Sequence, residues 1–262
     1  REGLPDLAFE GCQDDGKTVK VRPAELSDLE GLRSLYYETY GDRYALPEVV
    51  DDERSREVIS RHGWVWLLAE CDDRVVGSLI FGWDNEHRLG KSFAGVVDPN
   101  FRGQKTMHRM LVEGLRRLLF EGEVFDMVYA VVRTFVTPAF HRDLLQLGFQ
   151  DVGVFPNVRK VRRYETHGLK ICVAPRALER RRKEPCLIPQ ICSLYDIAAE
   201  RFGLEPPIID SRAVSEVRSA MDMGVELAPV AEAGKKGVTR SRVQMLRRAS
   251  RGLKYGFFPF HE

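Results

Sequence analysis

Val96-Val97-Asp98-Pro99-Asn100-Phe101-Arg102-Gly103-Gln104-Lys105-Thr106-Met107 is the stretch on which the reading of this chain turns. The apolar run 92–97 ahead of it is halted at Asp98-Pro99, because proline lacks the amide that a strand ladder needs. Behind it, Met107, Met110, Leu111, Leu115, Leu118 and Leu119 recur along one face of residues 106–120, which predicts an amphipathic helix. The stretch is therefore a strand, a short loop and a helix N-terminus. Such a junction presents unpaired amides and the positive end of a helix dipole, the two things a diphosphate needs. Gly103 admits a backbone conformation that lets the chain approach phosphate closely, and Arg102 and Lys105 add charge. On these residues alone a phosphate site and an ordinary strand-to-helix junction are equally well supported.

Working outward, residues 19–22 alternate and stop at Pro23, which suits a short strand. Leu29, Leu32, Leu35 and Tyr36 then mark a helix over 28–37, with Ser27 as N-cap and Glu30 completing a capping box. A second helix is expected over 52–61, opening on acidic residues. Two strands, 64–70 and 74–82, flank Cys71-Asp72-Asp73, a hairpin signal. After the strand 92–97 and the helix 106–120 comes 127–132, a continuous apolar strand of the kind buried on both faces. A helix over 138–147 ends at Gly148, and residues 149–155 and 169–174 supply two last strands. The order β-α-α-β-β-β-α-β-α-β-β predicts an α/β fold with a mixed central sheet flanked by helices.

Several of these pieces, in this order, resemble the GNAT superfamily of N-acetyltransferases. Residues 96–111 resemble its acetyl-CoA-binding motif, R/Q-x-x-G-x-G/A, with Arg102 at the first position, Lys105 where the first glycine falls and Met107 where the second does. The opening strand followed by Ser27-Asp28, the Arg74-Val75-Val76-Gly77 entry to a strand, and Leu147-Gly148-Phe149 after a helix resemble further family features. The resemblance covers about residues 17–174. It implies a GNAT acyltransferase domain there, a lead-in over 1–16, and a mostly helical C-terminal extension or small second domain over 175–262.

The resemblance also implies chemistry. An acetyl group passes from acetyl-CoA to an amine acceptor, a small molecule or a protein, by direct attack in a ternary complex. Val96 and Val97 would orient the pantetheine and polarise the thioester carbonyl through backbone amides. Amides of Gly103, Gln104, Lys105, Thr106 and Met107, helped by Arg102, would hold the pyrophosphate. The attacking amine needs a base, for which Glu86 and His87 are the candidates. The thiolate's usual acid, a Tyr on the later helix, is replaced by Leu144, and His141 one turn earlier is the substitute. Thr137 stands where the family often has Asn, and it also suits a plain N-cap. The alternative to an enzyme is a non-catalytic GNAT-like module that binds CoA or serves as an interaction or regulatory domain.

Composition bounds the rest. A net charge of +1 argues against a generally polyanionic partner. Five cysteines without a CxxC pair fit no zinc set, so no metal is expected, and they suit a reducing cytoplasm. No apolar run is long enough to cross a bilayer, and no signal peptide is visible. Residues 175–262 hold sixteen basic and eleven acidic side chains, leaving about −4 for the remainder. Their basic run Arg180-Arg181-Arg182-Lys183 reads as an exposed helix end rather than a nucleic-acid contact, and the run 157–164 as a solvated β-loop. A helix ending at Gly203 is expected near Ile191, Leu194 and Ile197. Residues 238–253 read as a basic amphipathic helix, and the apolar close, 255–260, docks on the core or on a partner subunit of a homo-oligomer.

Overall fold

The structure, a computed structural model, describes residues 4–12, 16–44, 46–160 and 164–210. The chain divides into a unit spanning residues 1–208 and a second spanning 209–262. The first carries an eight-stranded mixed sheet in the order β1-β2-β3-β4-β5-β6-β8-β7. The expected helix over 238–253 and the apolar close lie outside the described residues, as do Arg162 and Arg163 of the basic run.

β1 (Phe9–Cys12) edges the sheet against β2 (Thr18–Pro23), inside the segment read from sequence as a lead-in. Its four residues alternate without an apolar run, so nothing local announces it. The strands β3 (Trp64–Cys71) and β4 (Arg74–Asp84) are joined by Asp72 and Asp73, both at positive φ, as a two-residue primed turn requires. Along β3 the side chains divide cleanly. Val65, Leu67 and Ala69 enter one core, while Trp66 and Leu68 enter another on the opposite face.

The first core lies under α4 (Thr106–Leu115), which continues as a π-helical turn from Arg116 to Glu121, and α5 (Pro138–Gln146). The second lies under α1 (Leu29–Tyr40), α2 (Pro47–Val50) and α3 (Asp52–Ser60). Helix α4 approaches the sheet closely. A Cβ on Gly114 would meet the Phe81 ring at 2.6 Å.

The start of α1 differs from the expected cap. Asp28, not Ser27, closes the entry: its carboxylate accepts the Glu25 amide at 2.7 Å and a two-pronged contact from Arg22 at 2.7 and 2.8 Å. The short Ser27 hydroxyl loses to a carboxylate that can also neutralise a cation. At the end of α5 the expected stop at Gly148 is present, with φ 87 and the Phe149 amide donating to Leu144 across the last turn.

β7 (Gln150–Lys160) and β8 (Tyr164–Val173) run longer than the sequence suggests, so the backbone of 157–160 is strand rather than loop. Helix α6 (Pro175–Arg180) follows, and Arg181 then pairs with Glu205. Helix α7 (Cys192–Phe202) ends at Gly203, φ 61, as expected. None of its residues is fully buried, and Ile191, Leu194 and Ile197 are exposed. No disulfide forms among the five cysteines, and burial pushes the Cys172 thiol up to about 11. Among the described residues no helix is long and apolar enough to cross a membrane.

Candidate functional site

β5 (Leu89–Val97) and β6 (Met127–Arg133) are parallel neighbours, but they pair at only three positions: Leu89 with Met127, Gly90 with Val128, and Lys91 with Tyr129. From Ser92 onward the edge of β5 that faces β6 has no strand partner. The two strands therefore open as a V whose vertex is the Lys91–Tyr129 rung. Backbone polar groups along such an edge must be satisfied by something other than the sheet.

Within the opening, β5 carries a bulge. Ser78 faces Val96 and Ile80 faces Phe93, so Ala94 and Gly95 together oppose the single residue Leu79. Ala94 sits at φ 55, a left-handed conformation that costs an ordinary L-residue about 1–2 kcal/mol. A buried hydrogen-bond chain holds it there. The Trp66 indole donates to Ser78 Oγ at 2.7 Å, Ser78 Oγ and the Tyr36 hydroxyl lie 2.8 Å apart, and Tyr36 donates to the Ala94 carbonyl at 2.5 Å. With one proton on each group the chain runs one way, from Trp66 through Ser78 and Tyr36 to Ala94.

The loop after β5 is shaped by Asp98, which is buried. It accepts the Asn100 amide at 2.8 Å and pairs with Arg74 at 2.7 Å. Arg102 turns back so that its Nε donates to the Val97 carbonyl at 3.3 Å. Gly103 has φ 80, and a Cβ there would meet nothing within 4 Å, so the loop's outer surface is open. Lys105 is the N-cap of α4 at φ 59 and ψ 15, with no side-chain cap on the helix amides. Here the structure explains the motif. The position at which the resembling family uses glycine requires a left-handed backbone, and lysine adopts it under strain. Met107 packs toward Gly95, which ties the loop helix to the bulge.

The residues singled out for catalysis do not assemble at the V. Glu86 and His87 occupy an exposed turn ahead of Leu89, on the closed side of the vertex. His87 pairs with Asp84 at 2.8 Å, which raises the imidazole's pKa and lowers the carboxylate's. Leu144 is buried in the core under α5. His141 lies on α5 one turn before it, half-buried, and Thr137 is the helix N-cap, its hydroxyl accepting the Phe140 amide at 3.4 Å.

The structure brings other groups to the V. Alternation along β6 buries Val128, Ala130 and Val132 under α4 and α5, which places Tyr129 and Arg133 on the α1–α3 face. Arg133 makes a two-pronged pair with Glu165 at 2.6 and 2.7 Å, and His167 Nε2 lies 3.8 Å from the same carboxylate. Burial pushes the Tyr40 phenol's pKa up, while the charges of Arg102 and Arg133 pull it back. Tyr40 is thus within electrostatic reach of both Arg102 and Arg133. At the vertex, burial lowers the pKa of Lys91, whose ammonium sits 4.9 Å from the Phe93 ring centre and 6.0 Å from that of Tyr129. Sequence reasoning missed these residues because they meet only through long-range pairing. Lys91 carried no local signal either: the sequence reading starts the strand at residue 92, whereas β5 begins at Leu89 and includes the lysine. Among the described residues no group of His, Cys, Asp or Glu is placed to hold a metal ion.

No protein-family model matches the chain, and a search of curated proteins finds no match. Solved structures do share the fold. Ribosomal-protein-S5-alanine acetyltransferase from Vibrio fischeri superposes with a TM-score of 0.53 at 13% identity, covering 64% of this chain and 97% of that one. RimJ of Mycobacterium smegmatis, in complex with CoA-disulfide, gives 0.53 at 19% identity, over 69% and 91%. An acetyltransferase of the GNAT family from Streptococcus pneumoniae gives 0.52 at 16% identity, over 60% and 99%. The chain has the GNAT fold.

Proposed function

We propose that this protein is an acetyl-CoA-dependent N-acyltransferase that acts on an amine. The observation that carries the reading is the V between β5 and β6, which is followed by a helix N-terminus whose N-cap residue, Lys105, sets no side-chain bond on the helix amides. An extended thioester arm can occupy the unpaired edge of β5, and its pyrophosphate can meet the amides from Gly103 to Met107 with Arg102 beside them. The residues fit such a group, since Gly103 leaves the loop surface open and Val96 and Val97 lie along the unpaired edge. RimJ of Mycobacterium smegmatis, which shares the fold and was solved in complex with CoA-disulfide, supports the same cosubstrate.

In the reaction, a neutral amine attacks the thioester carbonyl carbon, the C–N bond forms as the C–S bond breaks, and the amine's proton must leave. Amides at the bulge, held by the Trp66–Ser78–Tyr36 chain, would steady the carbonyl oxygen. We assign Tyr40 the return of a proton to the thiolate: a phenol is protonated at neutral pH, and the charges of Arg102 and Arg133 offset the burial that would hinder its donation. Glu86 and His87 remain candidates for a base only through an intervening water, given their place on the closed side.

Calorimetric titration with acetyl-CoA, beside an Arg102→Ala variant, tests the reading. Saturable micromolar binding that weakens in the variant supports it, and no binding by the intact chain refutes it. A non-catalytic, CoA-binding module is the second reading, favoured by the buried Leu144 in place of the family's acid. Binding without turnover of any amine would select it.

A further inference from the structure

We propose that Glu48 is the docking carboxylate for the acceptor, and that the acceptor is a monoamine carried on a flat apolar arm. This deepens the acyltransferase reading and rests on it. Glu48 belongs to α2, a single turn fixed by Pro47 at its start and by the fully buried Val49. Its Oε2 is out of solvent and has no hydrogen-bond partner among the described residues. A buried carboxylate oxygen without a donor is costly and uncommon, and a ligand group is a standard reason for one to persist.

Its place is informative. The charge of Glu48 acts on Lys91, the vertex residue of the V, from the α1–α3 face. The two form no ion pair, because the Lys91 ammonium is held over the rings of Phe93 and Tyr129 instead. The carboxylate therefore keeps a lone pair available on the face opposite α4, where Val49 of the same turn shares a core cluster with Phe93 and Ala94 of β5. An acceptor entering from that face would reach the thioester there.

The surroundings define the arm and the charge. Tyr40 and Tyr44 stack with ring centres 5.0 Å apart, Tyr36 lies 4.7 Å from Tyr44, and Trp64 meets Phe93 edge-on at 5.7 Å. A flat apolar group suits such a wall. The Lys91 ammonium already acts on this carboxylate, and Glu165 is engaged by Arg133. A second positive charge on the acceptor would meet repulsion, which disfavours diamines and longer polyamines.

The test is calorimetric titration of the full chain, wild type and Glu48→Gln, with 2-phenylethylamine and with 1,4-diaminobutane. The monoamine is expected to bind wild type, and to bind Glu48→Gln about tenfold more weakly, the usual consequence of losing a charge-assisted hydrogen bond. Glu48→Asp, which keeps the charge but retracts it, should fall between them. The diamine should bind wild type less tightly than the monoamine. Acetyl-CoA affinity should be the same in all three proteins. The proposal is overturned if the monoamine fails to bind wild type, if it binds wild type and Glu48→Gln equally, or if the diamine binds as well. Failure of acetyl-CoA to bind any of the proteins would instead remove the acyltransferase reading, and the amine titrations would still report on Glu48.

Discussion

The hydroxyl of Tyr36, on α1, donates to the carbonyl oxygen of Ala94, the bulged residue of β5, at 2.5 Å. One phenol thereby joins the helical layer to the left-handed residue in the middle of the V. Tyr36→Phe keeps the ring and removes that tie, leaving the Ala94 carbonyl and Ser78 short of a partner. It should lower stability by about 1–3 kcal/mol, the cost of a buried polar group left unmatched. Because the bulge aims the neighbouring amides, kcat should also fall about tenfold with acetyl-CoA affinity nearly unchanged. Denaturant melts and steady-state kinetics check both halves, and unchanged kcat would show that the bulge does not position the thioester.

Lys105 holds a backbone conformation suited to glycine. Lys105→Gly should stabilise the protein by about 0.5–1 kcal/mol, since relief of left-handed strain slightly exceeds the extra entropy of glycine in the unfolded chain. Lys105→Ala should give no such gain. A thermal melt separates the strain from the side chain, because both variants lose the ammonium.

Tyr40→Phe removes the proposed acid while leaving its stack on Tyr44 intact. A fall in kcat of about 10–100-fold, with little change in acetyl-CoA affinity, is expected for a lost general acid. An unaltered rate would take Tyr40 out of the chemistry.

Gly114 lies so close to Phe81 that even a methyl group would displace the ring. Gly114→Ala should destabilise by about 1–3 kcal/mol despite alanine's better helix propensity, because overpacking outweighs it. A gain in stability would show that the α4–sheet interface is more yielding than its geometry implies.

The Asp28 carboxyl is held below its ordinary pKa, chiefly by its hydrogen bonds with Arg22. A depressed folded-state value means stability that is fully present above the unfolded pKa and lost as pH falls through the folded one. Thermal melts between pH 7 and pH 2 should therefore show wild type losing more stability than Asp28→Asn toward the acid end. Parallel curves would assign the acid sensitivity elsewhere.

Much of the fold was legible because its elements are patterned locally. The stripe from Met107 to Leu119 gave α4, the Asp72-Asp73 break gave a hairpin, and Gly148 gave the end of α5. β1 was not legible, since Phe9–Cys12 has neither length nor an apolar run. Asp28 was passed over for Ser27 because its partner, Arg22, comes from a preceding strand. The loop 98–105 could be read as a candidate phosphate site from Arg102 and Gly103, and the odd Lys105 became intelligible only with its φ. The groups around the V were hidden for a topological reason. Tyr40, Arg133, Glu165 and Lys91 lie on four separate elements, and no window of sequence contains more than one.

The three rungs that join β5 to β6 have a mechanical meaning. The eight-stranded sheet is in effect a five-stranded slab and a three-stranded slab sharing a short seam. A group bound in the gap would supply bonds that the missing rungs do not, and so act as a rivet between the slabs. Amide exchange along β6 and β8 should accordingly slow when the gap is filled. Stiffness in this protein would then depend on what it has bound rather than on its sequence alone.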